Sequence, residues 1–171
     1  MKAWIGLGSN QDEPEFQLCS ALERINQAEE IEVIRTSGFY RTAPWGRADQ
    51  SAFINAVAIV ETSLAPAHLM NALLKIEQQM GRKRSGDRWG PRCIDLDLLT
   101  YNETRLTSPE LELPHPRMHL RAFVLQPVLE LDAAFVIPGI GPAADLLASL
   151  EDQEVQWLGA AELFCQRMNN E

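Results

Sequence analysis

Cysteine is scarce in this chain of 171 residues, occurring only as Cys19, Cys93 and Cys165. An odd count at wide spacing matches neither a disulfide framework nor a zinc-ligand pattern. No apolar run approaches the roughly 18–20 residues that a membrane span requires. The opening segment turns polar at Gly8-Ser9-Asn10, too early for a signal peptide, and offers no cleavage pattern; a cytoplasmic protein without a membrane partner is expected. There is no Gly-x-x-x-x-Gly-Lys-Ser/Thr, which excludes a P-loop, and Gly6-Leu7-Gly8-Ser9-Asn10-Gln11 lacks the third glycine of a dinucleotide-binding turn. Positive charge is also short. Against 24 acidic residues stand 15 basic ones, giving a net charge of −9. Such a body repels a polyanion, so no nucleic-acid partner is expected.

Hydrophobic residues at 46% and charged residues at 23% are ordinary for a globular chain. The length suits one domain over 1–171, with a core that hides about 68–70% of the unfolded surface. The basic residues that do occur are mostly arginine, and five of them crowd one stretch: Arg82, Lys83, Arg84, Arg88 and Arg92, with Asp87 the single acid among them. Guanidinium forks match phosphate oxygens in shape as well as charge. A basic cluster on an acidic body points to a small anionic ligand, although a solvated loop would account for the cluster taken alone.

Periodicity gives an alternating order of elements without repeats or linkers. Lys2–Gly8 reads as a strand. Asp12 and Glu15 resemble a capping box, Pro14 suits a first helical turn, and Leu18, Leu22 and Ile25 carry the helix to about Ala28. Residues 31–42 are β-rich. Residues 53–60 are apolar on both alternating faces, as in a central strand covered on both sides. Leu69, Leu73, Ile76 and Met80 mark a helix from near Pro66 to Gly81. Ile94–Tyr101 is a further strand, and residues 122–131 a further helix. Beyond Phe135 the pattern fades to a Pro138-Gly139 turn and a weak helix over 143–150. The order β-α-β-β-α-β predicts an α+β, ferredoxin-like (split βαβ) sheet with helices on both faces, a three-layer α/β/α arrangement. A doubly wound fold is the runner-up.

Chemistry concentrates at Asp95-Leu96-Asp97. On a strand, Ile94, Leu96 and Leu98 face one side and both aspartates the other, about 6.6–6.8 Å apart along the strand. Two charges at that spacing repel by about 2–2.5 kcal/mol at an effective dielectric of 20. A hard divalent cation is the usual offset: Mg²⁺ takes carboxylates and fills its remaining positions with phosphate and water oxygens. Two solvated acids would explain an isolated Asp-x-Asp. Here the arginine loop runs straight into the strand, with Arg92 three residues before Asp95, and that pairing is what phosphoryl or pyrophosphoryl transfer requires.

The stretch Arg88-Trp89-Gly90-Pro91-Arg92-Cys93-Ile94-Asp95-Leu96-Asp97-Leu98-Leu99 resembles the signature of the 6-hydroxymethyl-7,8-dihydropterin pyrophosphokinases of folate biosynthesis. The resemblance extends to Gly8-Ser9-Asn10, Phe39-Tyr40-Arg41-Thr42, Phe53-Ile54-Asn55-Ala56 and Pro114-His115-Pro116 with Arg121 and Phe123, in the right order over roughly residues 1–130. It implies that Asp95 and Asp97 hold two Mg²⁺ ions bridging the phosphates of ATP, the co-substrate. Arg82 and Arg92 would act as catalytic cations on the transferring group. Arg84, Arg88 and Trp89 would close over the nucleotide, with His115 and Arg121 on its phosphates from the other side and Leu98 and Leu111 beside it. Phe53 and Phe123 would stack on the pterin faces. Asn55 would read the pterin edge, aided by main chain near Thr42 and Trp45; Trp89 and Asp95 also border the pterin. The family's ferredoxin-like sheet agrees with the order of elements.

Two departures stand out. Phe53 occupies a position where the family often has tyrosine, so a hydroxyl is lost and the stacking face kept. Glu110 and Glu112 flank Leu111 where a basic residue and a small hydroxyl or aliphatic one are expected; two acids there weaken polyphosphate binding unless they point away. The implied reaction is attack of the pterin hydroxyl on the β-phosphorus of ATP with loss of AMP, by a monomer acting on small molecules. Another Mg²⁺-dependent nucleotidyltransferase, or a silent ATP-binding domain, are the alternatives.

Overall fold

The computed structural model describes residues 1–11, 13–43, 51–81 and 93–168. Its elements are β1 (Lys2–Ser9), α1 (Pro14–Gln27), β2 (Ile31–Thr36), β3 (Phe39–Thr42), β4 (Phe53–Thr62), α2 (Pro66–Gln79), β5 (Asp95–Tyr101), β6 (Leu106–Thr107) and β7 (Glu112–Leu113). A 3-10 turn at Met118–Leu120 leads to α3 (Ala122–Leu131), β8 (Val136–Ile137), β9 (Gly141–Pro142), α4 (Ala143–Ala148), β10 (Val155–Gly159) and α5 (Ala161–Met168).

The main sheet runs β10-β3-β4-β1-β5, and β2 also pairs with β4. All of these pairings are antiparallel. This is the ferredoxin-like order expected from the sequence. Strand alternation builds the layers. Ala3, Ile5 and Leu7 of β1, Ile54, Ala56 and Ala58 of β4, and Leu96 and Leu98 of β5 meet Leu18, Ala21 and Ile25 of α1 and Leu69, Leu73 and Ile76 of α2. On the other face Trp4, Val57, Ile59 and Leu99 meet Val124, Leu125, Val128 and Leu131 of α3. Burying each large aliphatic side chain contributes about 1.5–3 kcal/mol, so both faces of the sheet are covered and the α/β/α layering follows.

Three expectations are corrected. First, the N-cap of α1 is Glu13, at φ 57° with no side-chain cap hydrogen bond, so Glu15 falls at the second helical position, one short of the third that a capping box needs; Asp12 lies outside the described residues. Second, the β-rich stretch 31–42 is two strands, β2 and β3, separated by Ser37-Gly38. The Ser37 hydroxyl accepts the Val57 N–H, and a Cβ on Gly38 would fall 2.3 Å from Trp157 Nε1 and 2.8 Å from the Gly159 carbonyl. Third, Cys19 of α1 and Cys165 of α5 form a disulfide with Cα atoms 5.4 Å apart across a sequence separation of 146. Packing of α5 against α1 brings the two together, which spacing alone cannot reveal. Cys93 is a thiol whose Sγ donates to the Met80 carbonyl at 2.9 Å. Among the described residues no helix is long and apolar enough to cross a membrane.

Candidate active site

Register builds the site. Asp95 of β5 lies opposite Gly8 of β1, Gly8 opposite Asn55 of β4, and Asn55 opposite Tyr40 of β3. In the adjoining rows Asp97 is opposite Gly6, and Phe53 is opposite Thr42. These positions face the α3 layer, since their strand neighbours Leu7, Ile54 and Leu96 belong to the core beneath α1 and α2. Glycine on the middle strand leaves bare backbone between Asp95 and Asn55, a floor about 9–10 Å across at two strand spacings. A Cβ at Gly8 would stand 3.1 Å from Asn55 Oδ1.

Asn55 is buried, and its Nδ2 donates to Thr42 Oγ1 at 2.9 Å. That bond sets the amide so that the carbonyl oxygen borders the glycine floor. Farther along the row, the Tyr40 hydroxyl donates to Glu130 Oε2 at 2.5 Å. Both Glu130 oxygens also accept the Gly38 N–H, at 2.9 and 3.1 Å. Burial first, then the Glu130 hydrogen bond and charge, raise the Tyr40 phenol above its ordinary range and keep it protonated.

A bulge delivers His115. Ile5 pairs with Leu98 and Trp4 with Thr100, so Leu99 is the extra residue on β5, and its carbonyl accepts the His115 N–H at 2.7 Å. His115 Nε2 then lies 3.9 Å from Asp97 Oδ2, and Arg121 Nη1 lies 3.7 Å from the same oxygen. Burial, then Arg121 and Arg117, push the imidazole down to about 4, with Asp95 opposing. His115 is therefore neutral at pH 7 and its approach to Asp97 is no ion pair. The Arg117 N–H donates to Nδ1 at 3.1 Å, leaving the proton on Nε2, which faces Asp97. The Arg121–Asp97 pair is partly solvated and contributes at most about 1 kcal/mol, so the carboxylate can exchange it for a stronger partner. The Arg121 guanidinium also sits 5.6 Å from the centre of the Phe123 ring.

The donor chemistry fits a hard cation. Asp95 and Asp97 present two carboxylates, and among the described residues no group of three or more His, Cys, Asp or Glu could hold a metal ion. A pair of this kind suits Mg²⁺, which keeps several positions for phosphates and water. Arg121 and the Nε2–H of His115 stand on the side where such phosphates would lie.

Other sequence-predicted residues fall in different places. Phe53 opens β4 partly exposed, and Phe123 is in the first turn of α3, partly exposed and packed on the α3-side core. The Leu98 side chain is buried in the opposite layer, which leaves only its main chain toward the sheet edge. Leu111 packs partly buried on that same core, its N–H donating to Ser108 Oγ at 3.1 Å, while Glu110 and Glu112 are exposed. Trp45, Arg82, Arg84, Arg88, Trp89 and Arg92 lie outside the described residues. Two contributors went unrecognised in the sequence. Gly8 forms the floor, signalled by Gly6 and Gly8 alternating with the apolar Ile5 and Leu7. Glu77 reaches β5 from α2, signalled by an acid in phase with Leu69 and Leu73 on the buried helix face.

The model of the 7,8-dihydro-6-hydroxymethylpterin-pyrophosphokinase (HPPK) family matches residues 4–133. Among curated relatives, the 2-amino-4-hydroxy-6-hydroxymethyldihydropteridine pyrophosphokinase of Haemophilus influenzae is 39% identical over 153 residues, covering 90% of this chain and 95% of its own. That of Pseudomonas aeruginosa is 39% identical over 160 residues, covering 94% and 98%. The fold is also shared with a Plasmodium falciparum HPPK-DHPS crystal structure, at TM-score 0.69 and 14% identity, over 86% of this chain. The chain spans 45% of that longer protein. With the signature at Asp95 and Asp97 lying inside the matched region, the chain belongs to the 7,8-dihydro-6-hydroxymethylpterin-pyrophosphokinase family.

Proposed function

We propose that this chain transfers the β,γ-diphosphoryl unit of ATP to the hydroxymethyl group of 6-hydroxymethyl-7,8-dihydropterin, releasing AMP, in folate biosynthesis. The observation that carries the reading is the row Asp95–Gly8–Asn55 across three strands. It sets an acidic pair beside a bare floor with an oriented amide at the far side. The floor suits a flat ring, and Asn55 offers its carbonyl oxygen to the ring's edge. Phe53 and Phe123 supply its stacking faces.

Asp95 and Asp97 would hold two Mg²⁺ ions, which when bound neutralise the phosphate oxygens around the reacting β-phosphorus. Arg121 and the Nε2–H of His115 bind phosphate oxygens from the far side of Asp97. His115, with a pKa near 4, is too weak a base to take the hydroxyl proton at neutral pH, so it donates rather than accepts. Arg82 and Arg92 neutralise the transferring group, and Arg84, Arg88 and Trp89 cover the nucleotide. Catalysis is then positioning plus charge neutralisation, with the proton leaving to water or a phosphate oxygen. The need for ATP supports a cytoplasmic setting.

Asp95→Asn and Asp97→Asn test the assignment. Each is expected to abolish pterin-dependent AMP formation while leaving the melting temperature within a few degrees of wild type. Near-full turnover in either variant contradicts it.

A further inference from the structure

Glu77 is a carboxylic acid only 2% exposed, on the α2 face that also carries Leu69, Leu73 and Ile76. Burying a carboxylate is costly, and an aliphatic residue would complete that face more cheaply. What the acid does there is specific. Its Oε1 accepts the Leu96 N–H at 2.7 Å. β5 is the end strand of the main sheet, paired with β1 on one side, so alternate amides of β5 point away from the sheet and need acceptors elsewhere. Leu96 is one of these, and it is the residue between Asp95 and Asp97.

We propose that Glu77 is a positioning residue for the acidic pair. By holding the Leu96 amide from the opposite layer, it fixes the twist of β5 at the point that turns Asp95 and Asp97 onto a common face. The proposal rests on the reading of Asp95 and Asp97 as the Mg²⁺ ligands. A Leu96 amide left without its acceptor would loosen the strand there, and the two carboxylates would no longer be held at one spacing. Partners that orient metal ligands typically matter by about 10–100-fold in metal affinity or activity. The bond needs an acceptor oxygen, not a charge, so glutamine at position 77 should serve.

The test compares wild type with Glu77→Gln, Glu77→Ala and Glu77→Leu. The probes are Mn²⁺ binding by electron paramagnetic resonance in the presence of the α,β-methylene analogue of ATP, hydrogen exchange of the Leu96 amide, and the Mg²⁺ concentration giving half-maximal AMP formation. Glu77→Ala and Glu77→Leu are expected to weaken Mn²⁺ binding and raise the Mg²⁺ requirement by about 10–100-fold, with faster exchange at Leu96. Glu77→Gln is expected to restore both to within about threefold of wild type. Folded Glu77→Ala or Glu77→Leu protein with wild-type metal binding overturns the proposal, and so does Glu77→Gln protein as impaired in metal binding as Glu77→Ala. If Glu77→Ala and Glu77→Leu both fail to fold, Glu77→Asp, which draws the acceptor back by one methylene, takes their place: weakened Mn²⁺ binding with faster exchange at Leu96 is expected, and wild-type metal binding despite faster exchange overturns the proposal. Wild-type protein that binds Mn²⁺ but forms no AMP sinks the pyrophosphokinase reading and leaves the metal arms to judge Glu77. Wild-type protein that binds no Mn²⁺ overturns the role given to Glu77.

Discussion

The Asn55 side-chain amide donates to Thr42 Oγ1 at 2.9 Å, across neighbouring strands and within a buried site. Thr42→Val keeps the shape and removes the acceptor, leaving the buried amide group unsatisfied at a cost of about 1–3 kcal/mol. The expected result is a roughly tenfold rise in the pterin KM with a smaller change in kcat, since the loss falls on ring recognition. Steady-state kinetics at saturating ATP checks it; an unchanged pterin KM contradicts the role of the pair.

Gly8 separates Asn55 from Asp95. A methyl there meets Asn55 Oδ1 at 3.1 Å, so Gly8→Ala forces a small shift and Gly8→Val fills the floor. Fluorescence titration with the pterin is expected to show binding weakened modestly by alanine and at least tenfold further by valine, with little effect on stability. Equal affinities would show that the ring lies elsewhere.

Much of this arrangement was readable from residue order, because alternation is a local signal. Asp95 and Asp97 opposite Leu96 and Leu98 followed from strand period alone, and the helix at Ala122–Leu131 from its apolar spacing. What escaped reading depends on distant partners. β10, with Gln156 and Trp157 exposed, has no clear inward face, and it is a strand only because it pairs with β3 more than a hundred residues earlier. Glu77 shares the helical phase of Leu69 and Leu73, but what an acid does on that face is set only once β5 supplies an edge amide. The nucleotide side was recognised chiefly through arginines between 82 and 92, outside the described residues.

The disulfide between Cys19 and Cys165 ties α5, which follows directly on β10, to α1. Closing so long a loop is expected to contribute about 2–4 kcal/mol. Cys165→Ser, or wild type under dithiothreitol, should therefore lose that much stability in urea unfolding. Identical unfolding midpoints with and without reductant would contradict a stabilising tether.

His115 is pushed down to about 4 from the ordinary 6.5, chiefly by burial. Between those values the unfolded chain binds the proton that the folded chain refuses, so this group's contribution is fully present above pH 6.5 and is lost as pH falls toward 4. Proton NMR of the metal-free protein is expected to show the His115 ring titrating near pH 4. A midpoint near 6.5 would mean that the imidazole is solvated and charged in weak acid.

A label at the β-phosphorus reads directly whether the oxygen nucleophile reaches that atom. With ATP carrying ³²P at the β position, Mg²⁺ and 6-hydroxymethyl-7,8-dihydropterin, the label is expected in the pterin diphosphate, with AMP unlabelled. Label recovered in ADP, with a monophosphorylated pterin, would show transfer of the γ-phosphoryl group and contradict the pyrophosphokinase assignment.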